Sequence, residues 1–451
     1  MQSSRHFYIE TFGCQMNEHD SEKISGLLAH RGMVPTTTPQ QADLFILNTC
    51  SVREKASQKI YSRLGELKSR KEQNPNFLIG VVGCVAQQES EEMAKRVPFV
   101  DLVVGTHMYH TIPDLLDEID HKARHPRRGA QMVETSFLDN LAPVEVPHTL
   151  RGNPFRANIT IMEGCNKHCS FCIVPFTRGK ERSRASKQIV EEVKIAVSEG
   201  YPEILLLGQT VNSYRDPASK KYRFSDLLEE LSSVNGLRRI RFTSPHPKDF
   251  DSSTIRVIAQ NSNICNQVHL PVQSGSNSVL KRMRRQYTRE RFLEIVKEFR
   301  DCGRRIALST DVIVGSPGES EQDFKNTISL IEKVQFESIF SFKYSPRPYT
   351  EAYEWKDDVT SQVKRSRLMT LQELQAKIQL NINLELYVGR TFEVLVEGLS
   401  RDGIHQFGRT KSNRVINFPG AYSPGEFVSV QVNQAGPYSL KGTPLTESVK
   451  Q

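Results

Sequence analysis

The stretch Gly164–Cys172, GCNKHCSFC, places three cysteines in nine positions, at Cys165, Cys169 and Cys172 in the spacing C-x3-C-x2-C. Thiolates are soft metal ligands, yet structural zinc sites and ordinary iron–sulfur clusters take four protein ligands. The neighbouring cysteines, Cys84 and Cys265, lie far along the chain. Either the set is incomplete or one coordination position is left open, and an open position on a metal centre marks catalysis rather than scaffolding. His168, inside the motif, reads as a polar loop residue rather than a fourth ligand.

A second set of cysteines is dispersed. Cys14, Cys50 and Cys84 end the apolar runs RHFYIETFGC, ADLFILNTC and NFLIGVVGC, and are separated by 36 and 34 residues, about one strand–helix repeat each. A lone free cysteine is commonly a small buried residue. Three at equivalent strand ends carry more weight, because open parallel sheets bind ligands beyond the carboxyl ends of their strands. A second metal site is expected there. Cys265, at a helix end, and Cys302, late in an amphipathic helix, read as packing residues.

The elements that must position these groups follow from the apolar periodicity. Residues 1–120 alternate short apolar strands with helical patterns, which implies a Rossmann-like parallel sheet covered by helices. A polar stretch at 121–150 reads as a linker. From 151 to 380 come six strand candidates: ANITIM, EILLLG, RRIRFT, QVHLPV, RIALSTDVIVG and ESIFSFKY. Helices separate several of them, so a partial, open (βα)6 barrel is expected, with GCNKHCSFC on a loop at the carboxyl end of its first strand, where such folds build active sites. After a long helical pattern, residues 387–451 show short strands and Gly/Pro turns, the texture of a small antiparallel β-barrel. The fold class is α/β.

Bulk properties narrow the function. At 451 residues the chain needs several cores, and 37% hydrophobic with 25% charged residues suits a globular protein. Eight cysteines are too sparse for a disulfide scaffold. There is no apolar run of membrane-spanning length, and the N-terminus MQSSRHFYIE lacks a signal-peptide pattern, so a cytoplasmic protein with no membrane partner is expected. The net charge of +8 permits a polyanionic partner. Its basic runs, His121–Gly129 and Leu280–Arg291, read equally well as solvated faces.

C-x3-C-x2-C after a first barrel strand resembles the radical S-adenosylmethionine superfamily. The whole chain resembles one branch of it, the methylthiotransferases: TFGCQMN, LNTCSVREKA and VVGC match their first domain, and ITIMEGCNKHCSFCIVPFTRGKERSR, LLGQTVNSY, TSPHP, HLPVQSGS and STDVIVGSPGE their barrel. The resemblance implies two 4Fe-4S clusters, each with an uncapped iron. One is held by Cys14, Cys50 and Cys84, which carries the sulfur to be transferred. The other is held by the catalytic Cys165, Cys169 and Cys172, which supports reductive cleavage of S-adenosylmethionine. Two S-adenosylmethionine molecules are used per turnover. The implied reaction replaces the C2 hydrogen of N6-isopentenyladenosine at tRNA position 37 with a methylthio group.

The same resemblance implies a C-terminal RNA-binding TRAM barrel, in which the cationic Arg409, Lys411 and Arg414 are RNA-binding candidates. The implied partners are the tRNA anticodon stem-loop and an electron donor such as flavodoxin or ferredoxin. The backbone of Phe171 is placed near the cofactor's adenine. Asn212, Gln273 and Ser274, in strand-end loops, read equally as cofactor contacts or as polar residues satisfying nearby backbone. One departure is SPRPYT, where Tyr349 stands at an expected glycine; a turn requiring positive φ would strain it. Two alternatives stay open: a sister methylthiotransferase acting on threonylcarbamoyl-adenosine or a ribosomal-protein aspartate, and a non-catalytic iron–sulfur RNA-binding protein.

Overall fold

A computed structural model of the chain describes residues 5–51, 54–123, 131–138 and 150–445. It divides into two compact units. The first comprises Met1–Gly152 with Glu163–Asn166 and Cys172–Arg182, and the second the remainder.

The first unit is built on a six-stranded, all-parallel sheet. In spatial order its strands are Val34–Pro35, His6–Thr11, Leu44–Thr49, Leu78–Gly83, Leu102–Val104 and Met132–Glu134. Leu44–Thr49 and Leu78–Gly83 are buried at every position, as a strand covered on both faces must be. Leu44 and Ile46 face one apolar layer with Ile24 and Leu28 of the helix Gln15–His30. Phe45 and Leu47 face the other, with Ile60 and Leu64 of Glu54–Gln73. The three apolar runs that end in cysteines are thus three adjacent inner strands of the sheet. The stretch expected as a linker, 121–150, is not wholly one: Met132–Glu134 hydrogen-bonds to Leu102–Val104 as an edge strand. Its half-buried, weakly apolar side chains carry little strand signal. Beyond Ala123 the basic run His121–Gly129 lies outside the described residues.

Numbered along the chain, the strand order is 2-1-3-4-5-6. The direction of winding therefore reverses between the first and third strands, and ligands of open α/β sheets lie beyond the carboxyl ends at such a switch point. Cys14 and Cys50 follow those two strands.

The second unit contains six parallel strands in two ladders: Arg156–Thr160, Glu203–Leu207 and Arg239–Phe242, then Gln267–His269, Ala307–Val314 and Ser338–Lys343. A parallel bridge between Ile240 and Ile264, with Cys265 N–H bonding to Ile240 O at 2.9 Å, joins the ladders. Among the described residues no ladder closes the first strand onto the last, so the barrel is open. A helix follows each strand, the last being Ser361–Leu386. The C-terminal strands Thr391–Leu399, Gln406–Arg409, Val415–Phe418, Phe427–Ala435 and Leu440–Pro444 close a five-stranded barrel. Its pairings are antiparallel except that Val415–Phe418 runs parallel to Leu440–Pro444.

Both barrels belong to one core. Val394, Val396, Ile416 and Phe418 of the small barrel share an apolar cluster with Ile240, Leu308 and Phe336 of the large one. Arg239 and Arg241, buried on the third strand of the large barrel, donate to carbonyls of the small one: Arg239 to Arg409 O (2.9 Å) and Glu393 O (3.0 Å), Arg241 to Thr410 O (2.8 Å). Glu203 accepts from Arg241 Nε at 3.0 Å and balances the charge. No helix among the described residues is long and apolar enough to cross a membrane.

Candidate metal centres

In the first unit the three strand-end cysteines meet. Cys14 caps the helix Gln15–His30 and Cys84 opens the helix Cys84–Arg96, so both sulfurs sit where unpaired backbone N–H groups and the helix dipole favour a thiolate. The side chain of Cys50 is the largest influence holding the Cys14 thiol down, at about 6, with Arg178 and the backbone of Asn17 and Met16 adding to it. Burial pushes the Cys84 thiol up, against the pull of the Arg178 guanidinium. Cys50 and Cys84 are buried, whereas Cys14 is exposed.

Close approach of the loops requires small residues. Gly83 has φ +93°, and a Cβ there would lie 2.5 Å from Asn48 Oδ1 and 2.7 Å from Thr49 O. Asn17 and Asn48, both fully buried, tie the loops together. Asn17 Nδ2 donates to Asn48 Oδ1 and Thr49 O at 3.0 Å each, and Asn48 Nδ2 donates to Asn17 O at 2.8 Å. Asn17 and Asn48 stand beside cysteines in TFGCQMN and LNTC, a signal the sequence carried but that went unused.

A buried ion cluster backs the thiols. Arg178 ends the short helix Val174–Arg178 and donates from Nη2 to Asp20 Oδ2 at 2.6 Å, and Tyr109 OH donates to the same oxygen at 3.3 Å. Its other terminal nitrogen, Nη1, is buried without a hydrogen-bond partner among the described residues. Burial works against the charge of Arg178, but Asp20 and Cys84 more than offset it and hold the guanidinium protonated. Sequence reasoning missed this cluster, because Asp20 and Arg178 meet only in the fold.

Among the described residues no three His, Cys, Asp or Glu side chains gather tightly enough to hold a single metal ion. A cluster spreads its thiolates over separate iron atoms and so needs wider spacing.

The loop of Cys165, Cys169 and Cys172 follows the first barrel strand, as expected. Within the first unit, Cys165 N–H donates to Gly179 O at 3.1 Å. Within the second, Cys169 is buried and its sulfur accepts from Arg285 Nη1 at 3.3 Å; Arg285 also donates to Pro271 O at 2.9 Å. Ser170 pins the loop through Oγ to Arg282 O at 2.8 Å, beside the half-buried Phe171. His168 is exposed. The basic run Leu280–Arg291 is therefore not a uniform solvated face, since Arg285 points inward at a cysteine.

The remaining candidates divide. Gln273 sits at φ +68° with its buried Oε1 unpartnered among the described residues, the kind of stored strain that collects at binding sites. Asn212 is spent on backbone: Oδ1 accepts from His246 N at 2.7 Å and Nδ2 donates to His246 O at 2.9 Å. Ser274 is fully buried and accepts from Ser276 N at 3.2 Å. Both thus make the backbone contacts that one of the two readings expects. His246 accepts at Nδ1 from Lys248 N and leaves Nε2 buried and unpartnered among the described residues. Burial, then the charge of Arg285, keep that ring neutral.

Arg414 does not face RNA; it is buried 3.2 Å from Glu337, with its guanidinium over Tyr387. Arg409 pairs with Glu397 at 3.0 Å and Lys411 donates to Ser262 O at 3.0 Å, both at accessible positions. Cys265 is buried, and Cys302 donates to the carbonyls of Phe299 and Arg304 at 3.2 Å, so both are packing residues.

Comparison with known proteins accords with this layout. The chain matches Uncharacterized protein family UPF0004 over residues 6–105, the Radical SAM superfamily over 159–331 and the TRAM domain over 385–445. In fold the chain resembles the radical S-adenosylmethionine methyltransferase TsrM from Kitasatospora setae, with TM-score 0.55 and 14% identity over 78% of this chain and 75% of that one. A curated relative from Solibacter usitatus (strain Ellin6076), named tRNA-2-methylthio-N(6)-dimethylallyladenosine synthase, is 44% identical over 98% of both chains. One of the same name from Geobacter sulfurreducens is 44% identical over 99% of both. Identity of this level along the whole length, with all three domains in order, means that the chain belongs to the tRNA-2-methylthio-N(6)-dimethylallyladenosine synthase family of radical S-adenosylmethionine methylthiotransferases.

Proposed function

We propose that this protein is a tRNA methylthiotransferase that replaces the C2 hydrogen of N6-isopentenyladenosine at tRNA position 37 with a methylthio group. The observation that carries the reading is the meeting of Cys14, Cys50 and Cys84 at the sheet's switch point, in a chain whose barrel bears a second three-cysteine loop. An iron–sulfur cluster on each triad, with S-adenosylmethionine as co-substrate, would supply the radical and sulfur chemistry that amino-acid side chains lack.

The chain's own residues do the rest. Cys14, Cys50 and Cys84 provide three thiolates, and the Asn17–Asn48 pair holds their loops in register. Arg178 sets a buried positive charge against the negative charge that such a site gathers. In the barrel, Cys165, Cys169 and Cys172 provide the second set, and Arg285 orients Cys169 through its N–H to sulfur contact. Gln273, with its buried and unpartnered Oε1, is the proposed cofactor contact among the strand-end loops. The small barrel supports the tRNA, with Arg409 and Lys411 as accessible cations; backbone charge and shape govern such grips. The C2 hydrogen is not acidic enough for side-chain proton transfer, so no acid–base pair is assigned. A low-potential protein such as flavodoxin or ferredoxin is the proposed electron donor, and the cytoplasm the proposed location.

Two triple variants test the reading. Cys165→Ala/Cys169→Ala/Cys172→Ala should lose about half the bound iron and all cleavage of S-adenosylmethionine. Cys14→Ala/Cys50→Ala/Cys84→Ala should lose the other half yet still yield 5′-deoxyadenosine and methionine. Neither should methylthiolate isopentenylated tRNA, judged by mass spectrometry of nucleosides after anaerobic turnover. Methylthiolation retained by the second variant would remove the sulfur-carrying role from the first unit.

A further inference from the structure

The last strand of the large barrel, Ser338–Lys343, exposes two large apolar rings. Phe340 is 52% exposed and Phe342 39% exposed. The alternation of the strand decides which way they point. Ile339 packs into the apolar core, and Ser341 accepts from Gln372 Nε2 of the covering helix Ser361–Leu386 at 3.3 Å. Side chains two apart share a face, so Phe340 and Phe342 look the opposite way, into the barrel. The parallel register sets Asp311 beside Phe340 and Ile313 beside Phe342 on that inner face. His269 completes it, with its ring 5.7 Å from that of Phe340 and Nε2 3.4 Å from Asp311 Oδ2. Three adjacent strands thus offer an open apolar wall, Phe340, Phe342 and Ile313, with one carboxylate set into it.

Resting on the substrate reading above, we propose that this wall receives the N6 substituent of the adenine, with Phe340, Phe342 and Ile313 packing against the isopentenyl group. A branched five-carbon chain gains from leaving water for two aromatic faces. Preference for an apolar substituent is thus built into residues that no cysteine motif includes.

The test is binding of full-length, anaerobically reconstituted protein to anticodon stem-loop RNAs that carry adenosine, N6-isopentenyladenosine or N6-threonylcarbamoyladenosine, followed by fluorescence anisotropy. Nucleoside analysis of turnover on the isopentenylated RNA runs alongside. The wild type should prefer the isopentenylated RNA by about tenfold or more. Phe340→Ala and Phe342→Ala should erase most of that preference, with the loss confined to the isopentenylated RNA, whereas Phe340→Leu keeps it. An unchanged preference in both alanine variants, or an equal loss on all three RNAs, would overturn the proposal. If the wild type makes no methylthiolated product at all, the substrate reading itself fails; if product forms while the preference survives in both alanine variants, the pocket assignment alone does.

Discussion

At the scale of single residues, Tyr349 carries backbone strain and Arg178 and Asp20 carry buried charge. Tyr349 occupies φ +66° in the turn Arg347–Thr350, closed by Thr350 N–H to Arg347 O at 3.3 Å, with Pro348 before it. That is the third position of a type II turn, where glycine is at ease and a Cβ is not. Tyr349→Gly should therefore raise the unfolding free energy by about 1 kcal/mol, read from the urea midpoint. Arg178 and Asp20 are a buried pair, and a lone partner would be left charged in a dry site. Arg178→Met should destabilise the protein by about 3–5 kcal/mol, and Arg178→Met/Asp20→Asn by clearly less. A loss in the double variant equal to the sum of those of Arg178→Met and Asp20→Asn alone would show that the pair is not coupled.

At the scale of elements, the helix Glu321–Val334 is held to the QSGSNS loop by one side chain. Asp323 closes the capping box with Ser320 and accepts from the hydroxyls of Ser276 and Ser278 at 2.5 Å each. Burial raises its carboxyl, but those hydroxyls and the Ser320 backbone outweigh it and bring the group down to about 2. A depressed carboxyl contributes stability that is full above its unfolded range near 4 and fades as pH falls through about 2. The site is partly open to solvent, so the contribution is discounted to about 1 kcal/mol. Urea titrations at pH 7 and pH 3 should show Asp323→Asn losing that amount at pH 7 and about half of it at pH 3. A loss equal at both pH values would assign the effect to packing.

At the scale of the whole molecule, the C-terminal barrel reads from sequence as a detachable RNA-binding module. The shared apolar cluster and the buried Arg239 and Arg241 make it part of the large barrel's core. Truncation after Leu386 would bare Val394, Val396, Ile416 and Phe418 on one side of that contact and leave two buried arginines without their carbonyls on the other. The truncated chain should be poorly soluble, with a lowered or absent thermal transition by circular dichroism. A soluble, cooperatively folding truncation that retains both clusters would restore the modular view.

What the sequence determined by itself are the features with a local signature. These are the strand–helix alternation, the cysteines at three strand ends, the C-x3-C-x2-C loop and the Gly/Pro-punctuated final barrel. Each depends on the order of neighbouring residues, which apolar period and turn chemistry read directly. Even the strain at Tyr349 was legible, because a turn needs particular residue types at particular places. Tertiary structure alone decided which charges are buried. Arg178 meets Asp20 from 158 residues away, Arg285 reaches Cys169 across 116, and Arg414 turns from candidate RNA contact to core residue. An arginine looks the same in sequence whether it faces water or a carboxylate; only the packing of distant elements removes the water that sets its energy.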